Sequence, residues 1–408
     1  MPGMGAARAS GRVDRRGAAS AVALSCGALM MGAYATLSIA PIGPLVRADL
    51  GIGLAAFGFI TTAIFGGAAV ASTPSGHLTD RIGAVRLLAF AMVAVAVAEA
   101  VAALSPWVWL FFAAMFAVGL AYGCITPPTN VIVRGAADGS NQGLIMSAKQ
   151  TGVTLGGLIA GLTLPGLAHA LGWREALFAP VAGALVVAVL VVATRSNLQR
   201  QVGPQAPDHE LDERIPIRFG WRLGVGGFGF LMAGVQQGFM AYLTLFLTEA
   251  HGYRLAVAGV SFAVMMVGGT AGRLGWAVVS DRWFASNRWT GLLLTSIVAA
   301  VGLVGMAVLP TGPWLWPCSV LVGLTSIGWN GVFLALVANA VPPSHVGRLS
   351  GWSLRCVFSG VVVIPPVLGF LADHWGWGAS WLFAATITLI AGVGMFAGAR
   401  GGVNPRPS

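Results

Sequence analysis

The chain has 408 residues, of which 57% are hydrophobic and only 9% charged, with a mean hydropathy of +0.82. A soluble domain of this length covers its surface with roughly a quarter charged residues, so this composition excludes a soluble globular protein. The formal net charge of +10 is spread as arginines among short polar segments rather than gathered in a patch, which argues against a nucleic-acid partner.

In chain order, residues 1–17 are basic and polar and read as a cytosolic tail. The apolar run behind them is too long for a signal-peptide core and has no convincing cleavage site, so it is expected to remain in the bilayer. Twelve candidate spans follow, at 18–42, 54–76, 84–104, 107–132, 142–168, 175–194, 219–248, 255–280, 290–310, 313–340, 347–371 and 377–399. About 20 apolar residues at 1.5 Å each cross a hydrocarbon core of about 30 Å, and a core without water favours helices, which satisfy their own backbone. The longest polar interruption, 195–218, reads as a cytosolic linker between an N-terminal six-helix bundle (18–194) and a C-terminal one (219–399), and 400–408 as a cytosolic tail. The expected fold class is therefore all-α and integral to the membrane, with twelve transmembrane helices.

Charge gives the orientation. With both termini inside, seventeen Lys and Arg fall on the cytosolic side, and three, Arg47, Arg174 and Arg254, fall outside. Lys149, Arg273 and Arg355 lie within spans. This asymmetry matches a bacterial inner-membrane protein with both termini cytosolic. Cys26, Cys124, Cys318 and Cys356 are far apart inside apolar runs and show no metal or redox spacing. No cofactor or metal site is expected, and no nucleophile elbow, metalloprotease pair or phosphate loop supports an enzyme.

The two halves repeat each other. Val118-Gly119-Leu120 returns as Val322-Gly323-Leu324, Gly143 as Gly347, Gly156 as Gly360, and Gly172-Trp173 as Gly376-Trp377, always 204 positions later. In a chain with 58 glycines the constant offset carries the argument, and it indicates a duplicated six-helix unit with parallel copies.

Behind the second span stands Gly76-His77-Leu78-Thr79-Asp80-Arg81-Ile82-Gly83-Ala84-Val85-Arg86, and a degenerate copy, Ala277-Val278-Val279-Ser280-Asp281-Arg282, follows the eighth. Gly83 permits a tight reversal, and Asp80 suits an arginine or the positive end of a neighbouring helix. The first segment resembles the cytosolic signature of the major facilitator superfamily, G-x-L-x-D-R-x-G followed by basic residues. It departs from that pattern at Ala84 and Val85, where basic residues are usual. Together with twelve spans, two halves and a central linker, the resemblance covers essentially the whole chain. It implies a transporter working by alternating access, with Gly76, Asp80, Arg81, Gly83, Asp281 and Arg282 in gating. The alternative for these residues is a tight turn obeying the charge rule.

Three intramembrane cations demand an explanation, because each costs about 2.5–3.5 kcal/mol on insertion scales. Lys149, the only lysine, lies eight residues into its span, about 12 Å deep, and Arg273 and Arg355 reach a similar level. Lys149 shares a helical stripe with Gly152, Val153 and Gly156, Arg273 with Gly269, Ala277 and Ser280, and Arg355 with Gly351 and Ser359. Small residues line helix–helix contacts in membranes, so all three cations are expected to face protein or a cavity. Snorkelling to headgroups is the alternative, most of all for Lys149. Glu99 is the only acid in the interior of a span, Glu175 standing at the edge of the sixth, so an anionic ligand is the natural compensation.

The expected function is secondary transport of a small organic anion, a carboxylate in class. Lys149, Arg273 and Arg355 would serve as charge partners, and Tyr34, Tyr122, Gln236, Trp329 and Asn330 would line the site. Arg273 and Arg355 occupy spans in which oxalate/formate-type exchangers of the superfamily carry paired basic residues. Partners are expected to be the substrate, the bilayer and either a coupling proton or a counter-substrate, with the chain acting as a monomer. The rival is a proton-driven exporter of lipophilic compounds, which would be indifferent to the cations. A membrane sensor without transport is a further rival, disfavoured by the lack of an effector domain.

Overall fold

The computed structural model describes residues 15–136, 142–201, 219–284, 287–340 and 346–400, and among these it is helical, without a strand. The long helices are α1 (Arg15–Thr36), α2 (Leu54–Ile82), α3 (Ala84–Leu104), α4 (Val108–Gly123, resuming as Thr126–Ala136), α5 (Gln142–Leu171) and α6 (Phe178–Ala193). They are followed by α7 (Phe219–Leu245), α8 (Leu255–Trp283), α9 (Arg288–Val308) and α10 (Leu315–Ser326, resuming as Trp329–Asn339). The last run, Val346–Arg400, breaks at Gly376 (φ 80°) into α11 (346–375) and α12 (377–400). Among the described residues, eleven stretches are long and apolar enough to cross a membrane, and the last of these, Leu349–Gly398, holds both α11 and α12. Twelve spans result, as the sequence suggests.

Several boundaries differ from the expected ones, for local reasons. α1 stops at Thr36, short of 42, and a turn at Ala40–Ile42 leads into a short helix, Gly43–Leu50. α2 runs on through Asp80 and Arg81, so the signature segment is helix up to Ile82 rather than loop. Its polar residues fit because the Ser75 and Thr79 hydroxyls donate to carbonyls one turn back, those of Ser72 and Ser75. Gly83 then ends the helix at φ 88°, a conformation that favours glycine. α4 breaks at Cys124, and Pro127 and Pro128 sit in the first turn of its continuation, where a missing N–H costs little. The expected linker begins as a helix, Arg195–Gln201, and residues 202–218 lie outside the described residues. So do most of both tails.

The duplication is visible in what paired residues do. Gly119 brings α4 against the Ile64 backbone of α2, and Gly323 brings α10 against the Met265 backbone of α8. Gly156 and Gly360 place α5 and α11 against the backbones of α1 and α7 in the same way. Close backbone approach of this kind is what holds helices together where lipid offers no hydrophobic drive. Gly172 and Gly376, both at positive φ, make the matching turns before α6 and α12. The outer faces expose aliphatic and aromatic side chains, among them Phe90, Val97, Leu104, Val186, Val189 and Val301, as expected of a surface that meets hydrocarbon. Spans α1–α6 pack mainly on one another, as do α7–α12; the main joints between the groups are α2 on α11 and α5 on α8.

Candidate functional site

With twelve spans, Arg15 and Arg400 lie at one end of the bundle, here the terminal end; the opposite end is the distal end. The joint between α2 and α11 follows one stripe on each helix. Gly58 of α2 abuts Pro366, the Thr62 hydroxyl donates to the Val362 carbonyl at 2.6 Å, and Gly66 touches Val362. Further toward the distal end, the Tyr242 hydroxyl of α7 donates to the Leu54 and Pro365 carbonyls. Asp373 of α11 accepts the free N–H groups of Leu54 and Ala55 at 3.0 and 2.9 Å, capping α2 across the joint. Thr244 donates to the Ala40 carbonyl, and Arg47 pairs with Glu249 at 2.5 Å. The distal end is sealed.

The same stripes part toward the terminal end. On α11 the stripe Asp373, Gly369, Pro366, Val362 continues at helical spacing to Ser359, Arg355 and Gly351, all exposed. On α2 it continues from Gly66 to Val70, Thr73 and His77, also exposed. α5 and α8 behave alike. Gly161 meets Gly259 and Ala263, Gly157 meets Met266, and the Thr270 hydroxyl donates to Thr154 at 2.7 Å. One turn onward lie exposed Gln150 and partly buried Arg273. The bundle is thus a wedge, closed distally and open toward the terminal end.

The predicted residues fall into three groups. Arg273 Nε donates to the Ile327 carbonyl, which also accepts from Asn330 Nδ2; Asn330 and the indole of buried Trp329 both donate to Gln236 Oε1. Four expected residues from α7, α8 and α10 therefore form one polar network, and Tyr122 of α4 is close enough across the joint to interact electrostatically with Arg273. No acid bonds Arg273 among the described residues. Arg355 stands apart, exposed on the open stripe; its carbonyl accepts the Ser359 hydroxyl, but its guanidinium has no hydrogen bond or ion pair among the described residues. Lys149 is 1% exposed, and its Nζ donates to Asn130 Oδ1 and Thr129 Oγ1 of α4. Its stripe-mates Gly152 and Gly156 pack on α1, so Lys149 faces the interior of the first six helices, and its neighbour Gln150 faces the cleft. A common level for the three cations did not mean a common direction. Tyr34 bonds Thr163 of α5 at 2.7 Å.

The gating candidates sit at the open end. Asp80, Arg81 and Arg282 are exposed, and Asp80 has no ion pair among the described residues; the Asp281 side chain lies outside them. Sequence reasoning missed the distal seal altogether. Asp373, Tyr242, Thr62 and Thr244 carry no motif, and only their position across the joint reveals them.

Residues 22–358 match the Major Facilitator Superfamily profile. The chain is 25% identical over 360 residues to a gentisate transporter of Corynebacterium glutamicum, covering 84% of this chain and 78% of that one. It is 21% identical over 379 residues to a hexuronate transporter of Bacillus subtilis, 88% of each. Among solved structures, it resembles an inward-facing, occupied bacterial homologue of the human lysosomal transporter Spinster, with a TM-score of 0.76, 15% identity, and coverage of 93% and 96%. A D-xylose–proton symporter gives a TM-score of 0.73, 15% identity, and coverage of 92% and 97%. The fold, the duplicated halves and the profile agree: the chain belongs to the Major Facilitator Superfamily and is a multi-pass membrane transporter, not an enzyme.

Proposed function

We propose that this transporter carries a small organic anion, a carboxylate in class, by alternating access between α1–α6 and α7–α12. The observation that supports it most is the place of Arg273. It lies where the α5–α8 joint ends and the cleft begins, tied through Ile327 to the Asn330–Gln236–Trp329 network, with no acid bonded to it among the described residues. A partly buried guanidinium at membrane depth without a carboxylate partner is costly, and a substrate carboxylate would fit its planar fork. Arg355 on the open stripe would attract the anion into the cleft, and Lys149 would act behind Gln150, through Asn130. Gentisate and hexuronates, carried by the two relatives, are organic anions. By the charge rule the terminal end is cytosolic in a bacterial inner membrane, which makes this conformation inward-open. Asp80, Arg81, Asp281 and Arg282 would then latch the opposite, outward-open state.

Thermal shift of the purified protein tests this. Gentisate or glucuronate is expected to stabilise it, and Arg273→Gln to weaken that binding by about 30-fold or more, the effect of removing one partner of a buried charge pair. If neutral lipophilic compounds stabilise both proteins equally and carboxylates neither, the exporter reading replaces this one.

A further inference from the structure

Glu99 of α3 is fully buried near the distal end. Its Oε1 accepts the hydroxyl of Ser38, itself fully buried, at 2.7 Å, and its Oε2 has no hydrogen-bond partner. Neither ion pair among the described residues involves it. The surrounding charges are few. α6, its main neighbour, has no titratable residue; α1 contributes Tyr34 and Cys26, with Arg15 and Arg16 at the terminal end; α4 contributes Tyr122, Cys124 and, in its continuation, Arg134. α2 brings His77, Asp80 and Arg81, but at the terminal end, as does 195–201 with Arg195 and Arg200. Arg174 of the short helix Trp173–Ala176, which packs on α3, is held by Asp49 and the carbonyls of Ser105 and Ala103; Glu175 lies beside it. A carboxylate in such a place has no counter-charge and an oxygen with nothing to accept from. The carboxylic acid avoids the charge.

The partner of Glu99 is part of the distal seal. Ser38 lies in the short non-α segment after α1, two residues before Ala40, whose carbonyl accepts Thr244 of the other half. Leu37 and Ile39, on either side of Ser38, line a small cavity at the joint with Thr36, Phe57 and Gln237. We propose that Glu99 is a proton-binding site whose occupancy holds the segment 37–40 against the second half, so that proton binding favours the distally closed conformer. The step is simple: the carboxylate takes up one proton from water when the seal closes and returns it to water when the seal opens. Loss of the proton leaves a charge that needs solvation, and solvation requires the segment to move. Linkage is reciprocal, so low pH closes the seal and high pH opens it, by at most about tenfold in the open-to-closed ratio per pH unit for one proton. Glu99 is thereby the coupling site of the transport proposed above and rests on that reading for its use, although its proton linkage does not depend on which substrate is carried.

The test therefore uses no substrate. Spin labels at Ala48 and His374, exposed residues on opposite sides of the seal, report its opening by pulsed electron resonance on detergent-solubilised protein with the four native cysteines replaced. Between pH 5 and 9, the parent is expected to lose closed population as pH rises. Glu99→Gln, which keeps an acceptor for Ser38 and stays neutral, is expected to remain closed throughout. Ser38→Ala, a milder change, should shift the midpoint of the transition without abolishing it. His251, near the seal and held below its ordinary range by burial, is another local group that could respond, and His251→Gln is expected to retain the parental profile; His374 is already replaced by the label. The proposal is overturned if the parent shows no pH dependence, if Glu99→Gln keeps it, or if His251→Gln removes it. Failure here leaves carboxylate binding at Arg273 untouched, and failure of that binding leaves the pH response standing.

Discussion

The two ends of the joint between α2 and α11 use the same stripes and do opposite things. Distally, Gly58 meets the Pro366 backbone, Thr62 bonds the Val362 carbonyl, Gly66 touches the Val362 side chain, and Tyr242 and Asp373 tie off the helix end. Toward the terminal end the continuing positions are exposed, and one of them is Arg355. The closest approach differs in kind. Distally, Gly58 lies on the Pro366 backbone, whereas the open stretch of α11 carries a long cation, Arg355. An alternating-access protein needs a joint that can close at either end, one at a time, and this joint is built with unequal materials at its two ends.

That comparison breaks most visibly at Gly58. A side chain there would collide with the Tyr242 hydroxyl and the Pro366 backbone, so Gly58→Leu should wedge the seal open. Overpacking typically costs about 1–3 kcal/mol, enough to reverse the population of a conformer that is only slightly favoured. Gly351→Leu, at an open position with nothing within 4 Å, should leave this conformer unchanged. Labelling of a cysteine at Ala40, buried at the seal, from the distal side reads both variants, and equal labelling would refute the contrast.

A smaller effect is expected from Asp373→Asn. The amide retains one acceptor for the N–H groups of Leu54 and Ala55 but loses the charge at the start of α2, a change of about 1 kcal/mol. The same labelling assay should show about a fivefold rise in the open fraction. Smallest is Arg47→Gln. Its pair with Glu249 also spans the seal, but both side chains are 30% exposed, and such pairs contribute about 0–1 kcal/mol. Its effect should vanish in high salt, whereas that of Asp373→Asn should persist.

How much was legible beforehand differs by region. The spans, the duplication and the signature were readable because hydropathy, glycine spacing and charge are local properties. The Arg273 network was half readable: its residue types were singled out, but their common attachment to Ile327 was not. Lys149 shows why. Depth follows from counting residues, but direction depends on the neighbours: Gly152 and Gly156 seat the helix on α1, and the Lys149 amine bonds Asn130 and Thr129 of α4 rather than facing the cleft. Asp373 and Glu99 illustrate the opposite limit. The first reads as an ordinary acid at a helix end, and the second as a lone acid in a span, until the structure supplies the partners.

The sequence by itself determined the class of solvent this protein lives in, the number of crossings, the twofold repeat and the family. The first two follow from the cost of placing backbone and charge in hydrocarbon, which is paid residue by residue, and the last two from glycine offsets and a short motif, so all four are written along the chain. Only the tertiary structure decided which end of the joint is sealed, which cation faces the cleft, and that Glu99 is enclosed beside the segment forming the seal. Those facts depend on pairs such as Leu54 with Asp373 and Ala40 with Thr244, hundreds of residues apart, whose approach is set by the packing of whole helices.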